Sequence, residues 1–249
     1  MFDEDHEYSE ADGLAPAATY DDDANSPSLA YAVDIVLVID VTGSMGPVLE
    51  AVKQHALRFD TELAAKLDEK AKRVDQLRVR VIAYRDFGSD AAALEASDFF
   101  VLPDDRAAYS DFVSRLTPGG GGDAPESGLD AFAYALESPW VTGLDKRRHV
   151  VVMFTDAPSH PLAHAASHPQ YPRGIASTMD ELYDRWEGDG QSGGMESSAK
   201  RLLLFAPDGD PWTGLGTEME YAIHYPSQAG RGVADHDYDS ILDLIAGSV

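Results

Sequence analysis

The sequence has no cysteine among its 249 residues. Disulfide bridges and metal sites built on thiolates are therefore excluded. No apolar run approaches the roughly 20 residues that a membrane-spanning helix needs. The N-terminus also lacks the basic and apolar regions of a secretory signal peptide. From these absences we expect a cytoplasmic protein.

Basic residues are scarce. The chain has 19 Lys and Arg against 44 Asp and Glu, which gives a formal net charge of −25. A surface of this sign repels nucleic acids and anionic membranes, so neither is expected as a partner. Two explanations of the acidity stay open: it serves cation binding, or it reflects a host adapted to high salt, since Asp outnumbers Glu by about two to one.

The charge divides the chain into two parts. Residues 1–30 hold nine acidic residues and no Lys or Arg. Such a segment buries too little apolar surface to offset the entropy of ordering, so we predict a disordered acidic N-terminal tail. Residues 31–249 are long enough for one α/β domain, and no repeat or long linker divides them.

One apolar run that ends in polar side chains provides the main functional signal. Residues 35–39 are Ile, Val, Leu, Val and Ile, which is typical of a strand buried on both faces of a parallel sheet. Asp40, Thr42 and Ser44 follow two residues apart, so their side chains can point the same way. Carboxylate and hydroxyl oxygens suit a hard dication such as Mg²⁺. We therefore predict a metal site after this strand.

Three segments resemble the metal-ion-dependent adhesion site (MIDAS) of von Willebrand factor A (vWA) domains. Residues 40–45 read Asp-Val-Thr-Gly-Ser-Met and resemble the first MIDAS loop. Residues 119–126, Gly-Gly-Gly-Gly-Asp-Ala-Pro-Glu, and residues 154–157, Phe-Thr-Asp-Ala, resemble the second and third loops. The likeness covers about residues 31–249 and is closest to the branch of α-kinase-linked and bacterial vWA domains.

The resemblance implies an α/β fold, a Rossmann-like open sheet that is mostly parallel, with one short antiparallel edge strand and helices on both faces. It implies no catalytic residue. Mg²⁺ is the implied ion, with Mn²⁺ or Ca²⁺ as alternatives, because an Asp stands in the second loop where many vWA domains have Thr. The implied ligands are Asp40, Thr42, Ser44, Asp123 and Asp156.

Two further interpretations concern Asp123 and the histidines of the loop after the third motif. Asp123 can cap a helix that begins near Pro125, either as its whole role or while its other oxygen binds the metal. His160, His164 and His168 lie four residues apart and would share one face of a helix, where they could bind a transition metal. The prolines among them favour a loop. In the branch that the chain resembles, a His follows the third loop, and this implies a place for His160 beside the metal site.

Periodicity predicts the remaining elements. Apolar residues from Val48 to Leu67 predict one long helix. The other expected strands cover residues 77–84, 99–102, 148–154 and 201–206. The other expected helices cover residues 104–116, 178–186, 211–224 and a final segment around 238–245.

Four functions stay open. The first is a metal-dependent protein-interaction module, an adaptor or assembly factor in a bacterial or archaeal multiprotein system, in which an acidic residue of another protein completes the metal shell. The resemblance suggests AAA+ ATPases, kinases or phosphatases as partners. A hydrolase using Ser44 would need Gly at the position of Thr42, and a phosphotransferase using Asp40 would need a general acid there. The fourth is a vWA scaffold with an empty site. We expect no enzymatic activity.

Overall fold

The computed structural model describes residues 31–122, 124–142, 146–188, 194–227 and 237–249. The predicted tail, residues 1–30, lies outside this part. The strands are β1 (Tyr31–Asp40), β2 (Gln76–Tyr84), β3 (Leu94–Ala96), β4 (Phe100–Leu102), β5 (Lys146–Phe154), β6 (Lys200–Pro207) and β7 (Ala222–Ser227). The helices are α1 (Gly46–Ala56), α2 (Phe59–Glu69), α3 (Arg106–Arg115), α4 (Gly128–Leu136), α5 (Met179–Glu187), α6 (Trp212–Glu218) and α7 (Tyr238–Ser248).

The strands form one sheet in the order β3-β2-β1-β5-β6-β7, with β4 also paired to β2. β1, β2, β5, β6 and β7 run parallel, whereas β3 and β4 pair antiparallel with β2. The expected antiparallel edge is thus made of two short segments. From β1 the chain passes first to β2 and later to β5 on the other side. Open α/β sheets bind their ligands in the crevice where the order of the strands reverses. In this sheet that crevice lies between β1 and β5.

The central position of β1 follows from its sequence. Its side chains alternate between the two faces, and because both sets are apolar, each face packs against helices. Val33, Ile35, Leu37 and Ile39 belong to the core that includes residues of α1, α2, α3 and α7. Val36 and Val38 belong to the core on the opposite face, which includes residues of α4, α5 and α6.

The single long helix predicted from Val48 to Leu67 is wrong. The structure has two helices, α1 and α2, separated at Leu57 and Arg58. Arg58, at the break, has a φ of −117° and a ψ of −2°, which departs from the regular helical φ of about −63°. Leu63 and Leu67 of α2 are buried, while Leu57 at the break is 58% exposed.

Two other predicted boundaries are corrected. α4 begins at Gly128 rather than near Pro125, because Glu126 instead forms a parallel bridge with Ser159. The helix expected over residues 211–224 ends at Glu218, and the next segment forms β7 against β6. Within the described residues, no helix is long and apolar enough to span a membrane.

Candidate metal site at the carboxyl ends of β1 and β5

Asp40 is the last residue of β1, and its side chain is fully buried. Its Oδ1 accepts hydrogen bonds from the backbone N and the Oγ1 of Thr42, at 2.9 and 2.7 Å. Its Oδ2 accepts one from Oγ1 of Thr155 at 2.9 Å. Because Thr42 follows β1 and Thr155 follows β5, these bonds fix the carboxylate at the mouth of the crevice.

Two hydroxyl groups connect this carboxylate to Asp156. Oγ of Ser44 lies 3.5 Å from Oγ1 of Thr42 and donates to Oδ1 of Asp156 at 3.1 Å. Oδ2 of Asp156 is buried and has no hydrogen-bond partner among the described residues. The structure therefore brings together four of the five predicted ligands: Asp40, Thr42, Ser44 and Asp156. Asp123 lies outside the described residues, so its role as a ligand stays a prediction.

Glu126 is a further acidic side chain at this edge, which the sequence analysis placed in the glycine-rich loop but not among the ligands. Its backbone N donates to the carbonyl of Pro158 at 3.0 Å, and its carbonyl accepts from the N of His160 at 2.7 Å. The side chain is 5% exposed, and Oε2 has no partner within the described part of the chain. A Cβ added to Gly121 would lie 2.6 Å from Oε1 of Glu126 and 2.7 Å from Cγ2 of Thr42. The Glu126 carboxyl group thus lies beside the first loop.

Burial and mutual repulsion shift the protonation of these groups. Burial, with a smaller contribution from the charge of Asp156, raises the pKa of Asp40 to about 6, although its hydrogen bonds favour the charged form. Burial, followed by the charges of Asp40 and Asp86, raises the pKa of Glu126 to about 8. A nearby cation would relieve both effects, because it favours the charged carboxylate. The buried oxygens of Glu126 and Asp156 that lack partners also fit a dication.

Two aspartates position the glycine-rich loop and the start of α4. Oδ2 of Asp90 accepts a hydrogen bond from the N of Gly121 at 2.8 Å. Gly120 has a φ of +70°, and a Cβ there would lie 2.0 Å from Oδ1 of Asp90, so this approach requires glycine. Oδ1 of Asp86 accepts from Oγ of Ser127 at 3.1 Å. The sequence contains a signal for Asp86 in the Tyr-Arg-Asp motif that ends β2, but none that links Asp90 to this loop.

The three histidines do not form a common site. The rings of His160 and His164 stack with their centroids 4.2 Å apart, and Nε2 of His160 lies 3.7 Å from Oδ1 of Asp86. His168 instead packs against Phe87, with ring centroids 5.5 Å apart. Across the described ranges, no three His, Asp or Glu side chains are arranged to hold a metal ion. The three-histidine alternative therefore gains no support.

Comparison with known proteins gives distant relatives. No family's sequence profile matches the chain. The chain is 28% identical over 145 residues to the α-protein kinase vwkA of Dictyostelium discoideum, covering 57% of this chain and 21% of the kinase. It is 29% identical over 137 residues to the putative ariadne-like RING finger protein R811 of Acanthamoeba polyphaga mimivirus, covering 53% of this chain and 12% of that protein. The match thus spans only a small part of each relative.

Two solved structures align with most of this chain, one of them with a TM-score above 0.5. The pilus adhesin SpaC of Lactobacillus rhamnosus GG aligns with a TM-score of 0.51 at 12% identity, over 88% of this chain and 31% of the adhesin. The vWF domain of the pilus tip protein Mfa5 of Porphyromonas gingivalis aligns with a TM-score of 0.45 at 13% identity, over 89% of this chain and 96% of that domain. The likeness to SpaC shows the fold alone. The predicted fold class, a Rossmann-like α/β fold with an open, mostly parallel sheet, is confirmed.

Proposed function

We propose that residues 31–249 form a vWA-type interaction module that binds a divalent cation, Mg²⁺ first, and through it a carboxylate of a partner protein. The observation that supports this most directly is the contact between Ser44 and Asp156, which joins the loops after β1 and β5 and leaves Oδ2 of Asp156 buried without a partner among the described residues. The ion would be held by Asp40, Thr42, Ser44, Asp123 and Asp156. When bound, it supplies a Lewis-acidic centre with a coordination position open to a carboxylate or to water.

The other side chains prepare this position. Thr155 and the backbone of Thr42 donate to Asp40 and so fix its orientation before any ion arrives. Thr42 and Ser44 turn their hydroxyl oxygens to the same place, since they are already within 3.5 Å of each other. Glu126 lies beside Thr42, and a cation there would favour the charged form of its carboxyl group, which in turn attracts the cation.

We further propose that the site binds without catalysing a reaction. Both oxygens of Asp40 accept hydrogen bonds, which lowers their reactivity as nucleophiles. The Oγ of Ser44 donates to a carboxylate, and no histidine of the described residues bonds to it. A serine nucleophile of the usual kind requires such a base beside it. These contacts favour an adaptor over a hydrolase or a phosphotransferase.

Metal binding is tested by calorimetric titration of Mg²⁺ and Mn²⁺ into the metal-free chain at pH 7.5. We expect one ion per chain in the wild type and at least a tenfold loss of affinity in Asp156→Asn. Asp111→Asn, at an exposed position on α3, is the matched control and should bind like the wild type. Absence of binding at millimolar metal would support the empty-scaffold alternative.

Dependence of protein binding on the metal is tested with immobilised chain in a host lysate. A partner recovered with Mg²⁺ should be lost with EDTA and with Ser44→Ala, and retained with Asp111→Asn. A partner that binds equally well in EDTA would place the interaction at another surface and contradict the proposal.

A further inference from the structure

Basic side chains gather at the amino-terminal edge of the sheet, opposite the candidate metal site. We call Lys72, Arg148 and Arg201 the cationic cluster. Arg148 and Arg201 lie near the starts of β5 and β6, and Lys72 precedes β2. Side chains two residues apart on a strand point to the same face of the sheet. Tyr31, Arg148 and Arg201 each lie two residues before a core residue on the face that packs against α7, so they point to that face.

The cationic cluster has no acidic partner among the described residues. Nζ of Lys72 donates to the carbonyls of Ala246 and Gly247 at the end of α7, at 2.9 and 3.0 Å. A terminal nitrogen of Arg148 donates to a backbone carbonyl at 3.1 Å, and its Nε is buried without a partner in the described ranges. Arg201 bonds to backbone carbonyls and lies over the ring of Tyr221, 4.6 Å from its centroid. None of the three forms an ion pair with an Asp or Glu of the described residues.

Asp75 and Glu196, two acidic side chains that border cavities beside the cationic cluster, are already engaged elsewhere. Asp75 pairs with Arg73 at 3.4 Å and accepts from the N of Tyr31 at 3.0 Å. Glu196 pairs with Arg147. The pKa of Lys72 lies below its usual range, because of burial first and then because of neighbouring positive charges that include Arg148 and Arg201. In a chain with a net charge of −25, three cations that form no ion pair with an Asp or Glu of the described residues favour an anionic occupant.

The chain supplies such an occupant at this edge. Residues 1–30, with nine acidic residues and no Lys or Arg, join the sheet at Tyr31. This tyrosine lines two adjoining cavities of about 390 and 410 Å³, one bordered by Lys72 and the other by Arg148 and Ser198. The aspartates at positions 21–23 precede Tyr31 by eight to ten residues, a reach of about 30 Å. Tethering also gives them an effective concentration on the order of millimolar.

We propose that the acidic segment of residues 1–30 docks through Asp21, Asp22 and Asp23 onto the cationic cluster of its own chain. This departs from the expectation of a tail that stays free in solvent. Because the contact is electrostatic and partly exposed, it opens as salt rises. The released segment can then bind other cationic surfaces. The cationic cluster can likewise bind other acidic segments.

A distance measurement in the full chain tests the proposal. Because the chain lacks cysteine, Ala24→Cys and Ser198→Cys provide unique positions for two spin labels, and pulsed EPR gives the distance between them. We expect a short-distance population at 0.1 M salt that shifts outward at 1 M salt, where the Debye length falls from about 10 to about 3 Å. Arg148→Gln with Arg201→Gln should produce the same shift at 0.1 M salt. Arg115→Gln, which removes an exposed charge at the end of α3, should not.

Two further measurements separate docking from its alternatives. Neutralising positions 21–23 to Asn leaves the described residues intact and should also move the labels apart; an unchanged distance in this variant and in the arginine variant would overturn the proposal. A ten-residue polyglutamate peptide should compete with the segment and lengthen the distance. If the peptide binds in an arginine-dependent way while the Asn variant keeps the wild-type distance, the edge binds acidic partners in trans and the proposal is wrong.

Discussion

Ser44 donates a hydrogen bond of 3.1 Å to Asp156, which lies 112 residues further along the chain. Ser44 belongs to the short turn after β1, and Asp156 lies just beyond β5. The bond therefore closes the crevice at which the order of the strands reverses. Since both side chains are proposed ligands, we expect occupation of the site to be coupled to the packing of the two loops.

The first prediction is that Mg²⁺ or Mn²⁺ stabilises the fold, because a ligand that binds only the native state raises its stability by mass action. At 100 times the dissociation constant the gain is about 2.7 kcal/mol, or about 5–10 °C in Tm for a chain of this size. Thermal melts should show this rise in the wild type and in Asp111→Asn but not in Asp40→Ala. A wild-type Tm that stays the same with Mg²⁺ and with Mn²⁺ would indicate an empty site.

The second prediction concerns pH. The pKa of Glu126 is raised from 4.5 to about 8, so the folded chain binds more protons than the unfolded chain between these values, and stability falls as pH rises through this window. In EDTA, urea unfolding should show a lower free energy of unfolding at pH 8.5 than at pH 5.5. Glu126→Gln should reduce that difference by about 1–3 kcal/mol, after allowance for solvent screening.

Saturating Mg²⁺ provides the control for this pH effect. Because protons compete with the ion for the same carboxyl groups, the stabilisation by metal should increase from pH 5.5 to pH 8.5. If the metal-free stability of the wild type and of Glu126→Gln changed by the same amount between pH 5.5 and pH 8.5, Glu126 would not carry the effect.

The third prediction uses two neighbouring glycines. Gly121 has a φ of +72°, and a Cβ there would lie 2.6 Å from Oε1 of Glu126, whereas a Cβ on Gly119 meets nothing within 4 Å. Gly121→Ala should therefore displace the loop and cost about 1–3 kcal/mol of stability, with a tenfold or greater loss of Mg²⁺ affinity by calorimetry. Gly119→Ala should bind like the wild type. Equal Mg²⁺ affinities in the two variants would show that this loop does not contribute to the metal site.

Local spacing made part of the site predictable. Asp40, Thr42 and Ser44 follow one buried strand two residues apart, so the sequence alone places their oxygens together. Asp156 could be predicted as a ligand only through the resemblance to a family. Nothing in the local sequence pattern pairs it with Ser44, which lies 112 positions earlier. The contact is set by the register of β1 with β5, in which Ile39 lies opposite Phe154.

The position of the Glu126 side chain beside the first loop was not predicted from the sequence. Asp123 followed by Pro125 resembles the start of a helix, and that interpretation places Glu126 in the first turn of the helix and not among the ligands. The structure instead uses its backbone to bridge Ser159 and delays α4 to Gly128. Likewise β7 was missed because the apolar spacing of α6 runs on into the strand, and pairing with β6 overrides it.

The fourth prediction separates binding from catalysis. If the site only binds, the purified chain should show no metal-dependent turnover of generic phosphate monoesters or acyl esters. Ser44→Ala should then leave this background rate unchanged while it weakens Mg²⁺ binding, since the Oγ that contacts Asp156 is removed. A wild-type rate that is lost in Ser44→Ala and retained in Asp111→Asn would show that the site is catalytic.

The last prediction concerns Asp123, which stands where many vWA domains have Thr. With Asp40 and Asp156 it would place three carboxylates around a doubly charged ion, a local net charge of −1. Asp123→Thr removes one of these charges, so Mg²⁺ alone should bind more weakly, and the bound ion should accept an exogenous carboxylate more readily. Calorimetry with and without acetate measures both effects: acetate should strengthen Mg²⁺ binding more in Asp123→Thr than in the wild type. Because α4 begins only at Gly128, simple capping of that helix gives no reason for either change. An Asp123→Thr variant with wild-type metal affinity and wild-type acetate response would remove Asp123 from the proposed ligands.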